Sequence, residues 1–156
     1  VKLYLGGTAS DFAIVEAFVG LGMLLGTATV YKIGHRFNHG ALFLLGLFID
    51  GASFCLYYFV ETMSQLNFLS CIHGIGIPFL IISRVSIMQK NIPEKLLGRI
   101  FAIISVSILS MTAVSSGIIG FLAEFISIHE IFLLFGLLAG LCGIAGLLHP
   151  KIRYLN

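Results

Sequence analysis

Asp50 is the only ionisable residue near the middle of a long apolar segment of this 156-residue chain. A carboxylate there costs about 3 kcal/mol on membrane-insertion scales, so it usually faces a cavity or a partner group and marks a transport path or a proton site. Two roles are open: proton coupling or substrate binding, and a structural hydrogen bond to a neighbouring helix or at a local break before Gly51. His73 could join a proton relay, although a lone buried histidine is more often a packing residue.

A second candidate is the run of hydroxyl side chains within residues 105–116. At 100° per residue, four of them fall within one arc of about 100° on a helix. Small hydroxyl side chains also pack helices closely and hydrogen-bond between them. We therefore predict that this face either lines a water-accessible transport cavity or contacts another helix. Its members are Ser105, Thr112, Ser115 and Ser116.

Enzyme and metal chemistry have little support in the sequence. His35 and His39 are four residues apart, but they lie in a short loop with no carboxylate or cysteine to complete a metal site. The three cysteines fall in apolar segments without CxxC spacing, as buried inert thiols do. HExxH, GxSxG, P-loop and Ser-Lys catalytic patterns are not found. We therefore predict no enzymatic activity, no metal site and no cofactor.

The composition is typical of a protein embedded in lipid. Hydrophobic residues make up 58% of the chain and charged residues 10%, against about 45–50% and about 25% in soluble domains. The net charge of +2, with no basic run interleaved with aromatics, gives no sign of nucleic-acid binding. A membrane-spanning helix needs about 20 mostly apolar residues, which predicts an all-α, polytopic transmembrane helix bundle of five spans in a lipid bilayer. The predicted spans are about 12–33, 41–60, 66–88, 99–123 and 130–149.

The loops between these spans are short, so neighbouring helices should run antiparallel. Eight of the nine Lys and Arg residues then share one end of the bundle, whereas Lys2 lies at the other end with most of the acidic residues. Basic residues near span ends are retained on the cytoplasmic side. We therefore predict a multi-pass protein of the cell (inner or plasma) membrane, with the amino end of the chain outside and the carboxyl end in the cytoplasm.

Pairs of glycines four residues apart occur in the first and fifth predicted spans. They are Gly22 with Gly26 and Gly136 with Gly140. This spacing lets helix backbones approach closely, either inside one bundle or between two chains. The chain begins with Val1 and shows no signal peptide, so we expect it to be a fragment of a longer protein.

Two segments at the basic end resemble loops of a known family. Residues 92–102 have the sequence IPEKLLGRIFA, which resembles the cytoplasmic connection between the tenth and eleventh helices of major facilitator superfamily transporters, especially the drug and macrolide efflux branch. Residues 34–40, GHRFNHG, look like a degenerate copy of the family's glycine and arginine signature between the eighth and ninth helices. Residues 115–120, SSGIIG, are similar to part of the eleventh helix.

The resemblance implies that residues 1–156 form the carboxyl-terminal transmembrane domain of a twelve-helix transporter, without the first helix of that domain. The five spans would be helices eight to twelve, and the amino-terminal half of the same polypeptide would be the missing partner. The implied activity is secondary active export of small amphipathic compounds by alternating access, coupled to protons.

In that scheme the candidate site residues form two groups. The transport cavity or proton-coupling group contains Asp50, His73, Ser105, Thr112, Ser115 and Ser116, and the cytoplasmic gate loops contain Gly34, Arg36, Pro93, Glu94, Gly98 and Arg99. Two other functions are compatible with the sequence: an uptake permease of the same superfamily, and a membrane scaffold or accessory subunit that transports nothing.

Overall fold

The computed structural model describes residues 7–155, and this part of the chain folds into helices without a β-strand. The five long helices each have the length and composition to cross a membrane, which confirms the predicted all-α, five-span fold class. A short sixth helix follows at the carboxyl end. The helices are α1 (Ala9–Ile33), α2 (His39–Tyr57), α3 (Met63–Asn91), α4 (Glu94–Leu122), α5 (Ile128–Leu148) and α6 (Pro150–Arg153).

The ends of the bundle differ in charge, and we name them accordingly. The basic end comprises the α1–α2 and α3–α4 connections and the segment after α5, and the acidic end comprises the α2–α3 and α4–α5 connections and the start of α1. Lys2, which the sequence places at the acidic end, lies outside the described residues.

The three helices that start at the acidic end all begin with a capping box. In each box a Thr or Ser hydroxyl accepts a hydrogen bond from a backbone N–H three residues later, and the Asp, Gln or Glu there accepts one from the backbone N–H of the cap residue. An N-cap of this kind stabilises a helix by about 0.5–2 kcal/mol. The pairs are Thr8 with Asp11, Thr62 with Gln65 and Ser127 with Glu130.

The polar segment 89–99 is far more helical than the sequence predicts. We expected a break between spans ending near 88 and starting near 99, but α3 continues to Asn91 and α4 starts at Glu94. The helix stops because a residue that precedes proline is driven away from the helical region, and Ile92 before Pro93 has φ −114° and ψ 130°. Glu94, Gly98 and Arg99 therefore lie in the first turns of α4, and not in a loop as predicted.

Glycines set the distances between helices. A Cβ added to Gly26 would lie 3.0 Å from the Cα atom of Ile75 in α3, and one added to Gly51 would lie 2.7 Å from the Cα atom of Gly140 in α5. Contacts this short leave no room for a side chain. α1 therefore packs on α3, while α2 packs on both α3 and α5. The close packing predicted from the glycine pairs occurs inside the bundle.

At the basic end the helices close over a small apolar core. Val30, Leu42 and Phe79, from α1, α2 and α3, are 3%, 2% and 3% exposed. The carboxyl tail folds back beside this core, where the backbone N–H of Gly40 donates a hydrogen bond to the carbonyl oxygen of Leu155 over 2.8 Å. This end of the bundle is thus well packed, whereas a cavity lies at the acidic end.

Helix α4 is the exception to this packing. None of its residues is buried, and it touches the rest of the described chain sparsely, chiefly at α3. Its apolar side chains are widely exposed, as in Val106 at 65% and Leu109 at 73%. A helix with this surface is stable in lipid or against further protein, and residues 7–155 supply no protein cover for it.

Candidate functional site

A cavity of about 550 Å³ opens at the acidic end of the bundle, between α1, α2, α3 and α5. Its volume is in the range of sites that hold drug-sized molecules. The wall is mainly aromatic and aliphatic, with a few polar groups, and no lysine or arginine of residues 7–155 lines it. The lining residues are Phe12, Val15, Glu16, Val19, Phe54, Tyr57, Val60, Leu66, Ser70, His73, Ile128, His129 and Phe132.

Asp50 and His73 form an ion pair beside this cavity. The Nδ1 atom of His73 lies 3.0 Å from the Oδ1 atom of Asp50, and the side chains are 19% and 21% exposed. The ring nitrogen does not have hydrogen-bond geometry toward any acceptor among the described residues, so the two groups are close without a hydrogen bond and form an ion pair when the imidazole is protonated. The structure thus brings together two residues that the sequence indicated separately as candidate site residues.

Helix periodicity explains how α2 presents its side chains to the cavity. Asp50, Phe54 and Tyr57 follow the spacing i, i+4 and i+7, which places them on one face of a helix. On α3, Ser70 and His73 are three residues apart and share a face in the same way. The Tyr57 hydroxyl lies 3.1 Å from the hydroxyl of Ser70, which ties the two faces together.

Aromatic rings surround the imidazole of His73. The Phe54 ring lies 5.2 Å from it, centroid to centroid, in an edge-to-face arrangement. Tyr57 and Phe132 pack 5.4 Å apart, and Phe54 lies 5.7 Å from Phe132. Each such pair contributes about 0.5–1.5 kcal/mol beyond the area it buries. The Asp50–His73 pair therefore lies against an aromatic wall.

These aromatic and hydroxyl residues were missed at the level of sequence. In a chain with 14 phenylalanines and 5 tyrosines, an aromatic residue carries little information by itself. The usable signal was their position one and two turns after Asp50, on the same face of the same helix. Ser70 and Phe132 had no comparable signal because they lie on other helices.

The hydroxyl face of α4 is not brought to this cavity. Ser105, Thr112 and Ser116 are exposed and Ser115 is half-buried. The Thr112 hydroxyl donates to the carbonyl oxygen of Ile108 over 2.9 Å in its own helix, and the hydroxyls of Ser115 and Ser116 donate to the carbonyl oxygen of Thr112. Its role in transport stays a prediction.

The predicted gate residues occupy two separate places at the basic end. Gly34 and Arg36 line a polar cavity of about 400 Å³ with the rest of the α1–α2 loop. Pro93 and the following gate residues lie at the start of α4, outside that lining. The two groups are not assembled into one gate within residues 7–155, since α4 packs so sparsely against the other helices.

Arg84 is a further polar residue with an unexpected environment in the structure. It lies inside α3, seven residues before the last residue, Asn91. That is about 10 Å from the helix end at 1.5 Å per residue. Its Nε atom is buried and has no hydrogen-bond partner among the described residues. The sequence gives a signal for this position, because Arg84 precedes Gln89 by five residues and the residues between them are mostly apolar.

A metal site finds no set of ligands in this part of the chain. No three His, Cys, Asp or Glu side chains of residues 7–155 are grouped to hold an ion. His35 and His39 line the cavity at the basic end, and the Nε2 atom of His35 accepts a hydrogen bond from Arg36.

The chain has five apolar helices that can each cross a membrane, with the Asp50–His73 pair beside a cavity between them. These helices define it as a polytopic membrane protein. Residues 1–153 match the family model of the Major Facilitator Superfamily, and the chain belongs to this family of membrane transporters. Comparisons with curated proteins and with solved structures gave no significant match.

Proposed function

We propose that this chain is part of a secondary transporter that exports small amphipathic compounds in exchange for protons. The observation that carries the proposal is the Asp50–His73 pair at the wall of an aromatic cavity. Membership of the superfamily supports transport in general. Direction, coupling ion and substrate class are the proposed part.

The proton-coupling step is assigned to the pair. Asp50 and His73 are both titratable, are about four-fifths buried, and lie 3.0 Å apart. The pair changes its net charge by one whenever it gains or loses a proton. Because charge is costly in the bilayer interior, protonation of the pair changes which conformations of the transporter are favoured. Gain or loss of a proton is thereby linked to the conformational change, as coupled transport requires.

The substrate-binding step is assigned to the cavity beside the pair. Its walls are dominated by Phe54, Tyr57 and Phe132, and Ser70 offers a hydroxyl that is already held by Tyr57. A site with large apolar walls and few polar groups selects molecules by amphipathic character more than by a unique hydrogen-bond pattern.

We further propose that the five spans are helices eight to twelve of a transporter whose other half is the amino-terminal part of the same polypeptide. Support comes from α4, which has no buried residue and whose hydroxyl face finds no helix to contact within residues 7–155. In alternating access, the two halves rock about a site near the midplane. The basic end is placed in the cytoplasm, because positive residues near span ends are retained there.

The test uses the complete transporter in everted membrane vesicles, with an amphipathic fluorescent substrate added outside and its accumulation in the lumen measured. Asp50→Asn and His73→Gln should lower proton-driven export by about tenfold or more, the effect of about 1.4 kcal/mol. Both variants should still exchange substrate across the membrane without a proton gradient, because Asp50 does not line the cavity and His73→Gln keeps a polar side chain in its wall. The matched control is Glu61→Gln, which removes an exposed carboxylate at the acidic end.

Each outcome separates one part of the proposal. Proton-driven export by Asp50→Asn at the wild-type rate would remove the pair from the coupling mechanism. Accumulation of substrate only in right-side-out vesicles would identify an uptake permease, and no movement of any substrate by the wild type would favour a scaffold.

A further inference from the structure

The α1–α2 loop forms a concave basic surface, which we call the basic cup. Its cavity of about 400 Å³ is lined by Gly34, His35, Arg36, Phe37, Asn38, His39 and Lys90. Arg36 and Lys90 are positively charged and come from different helix ends, and two histidines lie between them. No carboxylate of residues 7–155 belongs to the lining, so the described groups make the field inside the basic cup positive.

This positive charge is not neutralised by the protein that the structure describes. The only salt bridge within residues 7–155 joins Asp50 and His73, which belong to the other cavity. Arg36 donates its Nε–H to the Nε2 atom of His35 over 3.4 Å. That bond orients the guanidinium group and leaves its two terminal nitrogens available, since arginine has five N–H donors.

Asn38 and His39 add polar groups to the same cavity. The Nδ1 atom of His39 is buried and has no hydrogen-bond partner among the described residues. Helix α2 begins at His39, and the cap residue Asn38 donates or accepts no side-chain capping bond. The first backbone N–H groups of a helix favour an anion when no side chain caps them, although that of Gly40 is already taken by the carbonyl oxygen of Leu155.

The carboxyl tail packs against the start of α2, next to the basic cup. The N–H of Gly40 is hydrogen-bonded to the carbonyl oxygen of Leu155, and a Cβ on Gly40 would collide with the backbone oxygen of Ile152. This contact holds the start of α2 in place and brings Lys151 and Arg153 to the same end of the bundle. The loop therefore has a supported shape.

We propose that the basic cup binds a phosphate-bearing anion. A guanidinium fork, an ammonium group and helix N–H groups match the several acceptor oxygens of a phosphate. The anion has two possible sources with the same chemistry, a phospholipid headgroup and free phosphate. The position at the end of the spans is the depth of lipid headgroups, where basic pockets between helices bind anionic lipids. The inference does not depend on export, on proton coupling or on Asp50.

The experiment measures ligand binding to the purified chain in uncharged detergent. The probes are dioctanoyl phosphatidylglycerol, its zwitterionic phosphatidylcholine counterpart, and inorganic phosphate. Phosphatidylglycerol should bind saturably and more tightly than phosphatidylcholine. Arg36→Gln and Lys90→Gln should each weaken it about fivefold, the effect of one basic group near an anionic headgroup. Lys90→Arg, which keeps the charge, should retain binding.

The matched control is Lys95→Gln, which removes an exposed positive charge from the same end but outside the basic cup. It should bind as the wild type does, and circular dichroism of every variant checks that the helices are intact. If inorganic phosphate displaces the lipid, free phosphate is a ligand of the basic cup, and if it does not, the headgroup is the ligand. Equal binding of both lipids, equal losses in Lys95→Gln and the cup variants, or no saturable binding would each overturn the proposal.

Discussion

Gly136 and Gly140 lie one turn apart on α5, yet an added side chain meets very different surroundings at the two positions. A Cβ on Gly136 would lie 2.8 Å from the Sγ atom of Cys55 and 2.8 Å from the carbonyl oxygen of Gly51, both in α2. A Cβ on Gly140 would have no heavy atom within 4 Å. Gly136→Ala and Gly140→Ala are therefore a matched pair that differs in one packing contact.

The difference in stability follows from two contributions. Alanine is favoured over glycine inside a helix by about 0.5–1 kcal/mol, and this gain applies to both variants. Overpacking costs about 1–3 kcal/mol. At Gly136 the cost should lie in the upper half of that range, because one of the colliding atoms is a backbone oxygen that cannot rotate away. The variants should therefore differ by about 2–3 kcal/mol, with Gly136→Ala the less stable.

The measurement is equilibrium unfolding in mixed micelles with increasing sodium dodecyl sulfate, followed by circular dichroism. A functional consequence should accompany it, because Gly51 is the neighbour of Asp50 in α2. Pushing α2 away from α5 changes the position of the Asp50 carboxylate relative to His73. Gly136→Ala should therefore also reduce proton-driven export in the complete transporter, whereas Gly140→Ala should not.

Equal stability of the two alanine variants would refute this reasoning. It would mean that α2 and α5 are further apart, or rotated differently, than the glycine contacts require. The placement of Phe54 and Tyr57 in the cavity wall would then be wrong as well, because both residues lie on α2.

Two further predictions concern hydroxyl groups. Tyr57→Phe removes the 3.1 Å hydrogen bond to Ser70, which is only 1% exposed, and should destabilise the chain by about 1–2 kcal/mol in the same unfolding measurement. Its control, Tyr58→Phe at a ring that is 40% exposed, should change stability by less than about 0.5 kcal/mol, and an equal loss in both would contradict the role given to this bond. Thr112→Val removes a hydroxyl that donates within its own helix, so we expect less than about 0.5 kcal/mol in stability but several-fold slower export by the complete transporter. Export at the wild-type rate would mean that the hydroxyl face of α4 does not line the transport path.

The break between α3 and α4 shows which part of a helix boundary the local sequence can predict. Pro93 explains why α3 ends at Asn91, because the effect of a proline on the preceding residue, Ile92, is local. The lengths of the helices on either side were wrong, since polar residues such as Lys90 and Lys95 were assigned to a loop. Charged side chains are compatible with helices that extend beyond the bilayer, so hydropathy locates the membrane-embedded part of a helix and not its ends.

By itself, the sequence determined that five apolar helices cross a membrane and that one end of the bundle is basic, because both properties depend on the composition of contiguous segments. Only the tertiary structure decided that Asp50 meets His73 and that the hydroxyl face of α4 meets neither of them. It also decided that the α1–α2 loop closes into a basic cup with Lys90. These pairings depend on how each helix is rotated and how closely it approaches its neighbour, and the glycine contacts between α1 and α3 and between α2 and α5 set both.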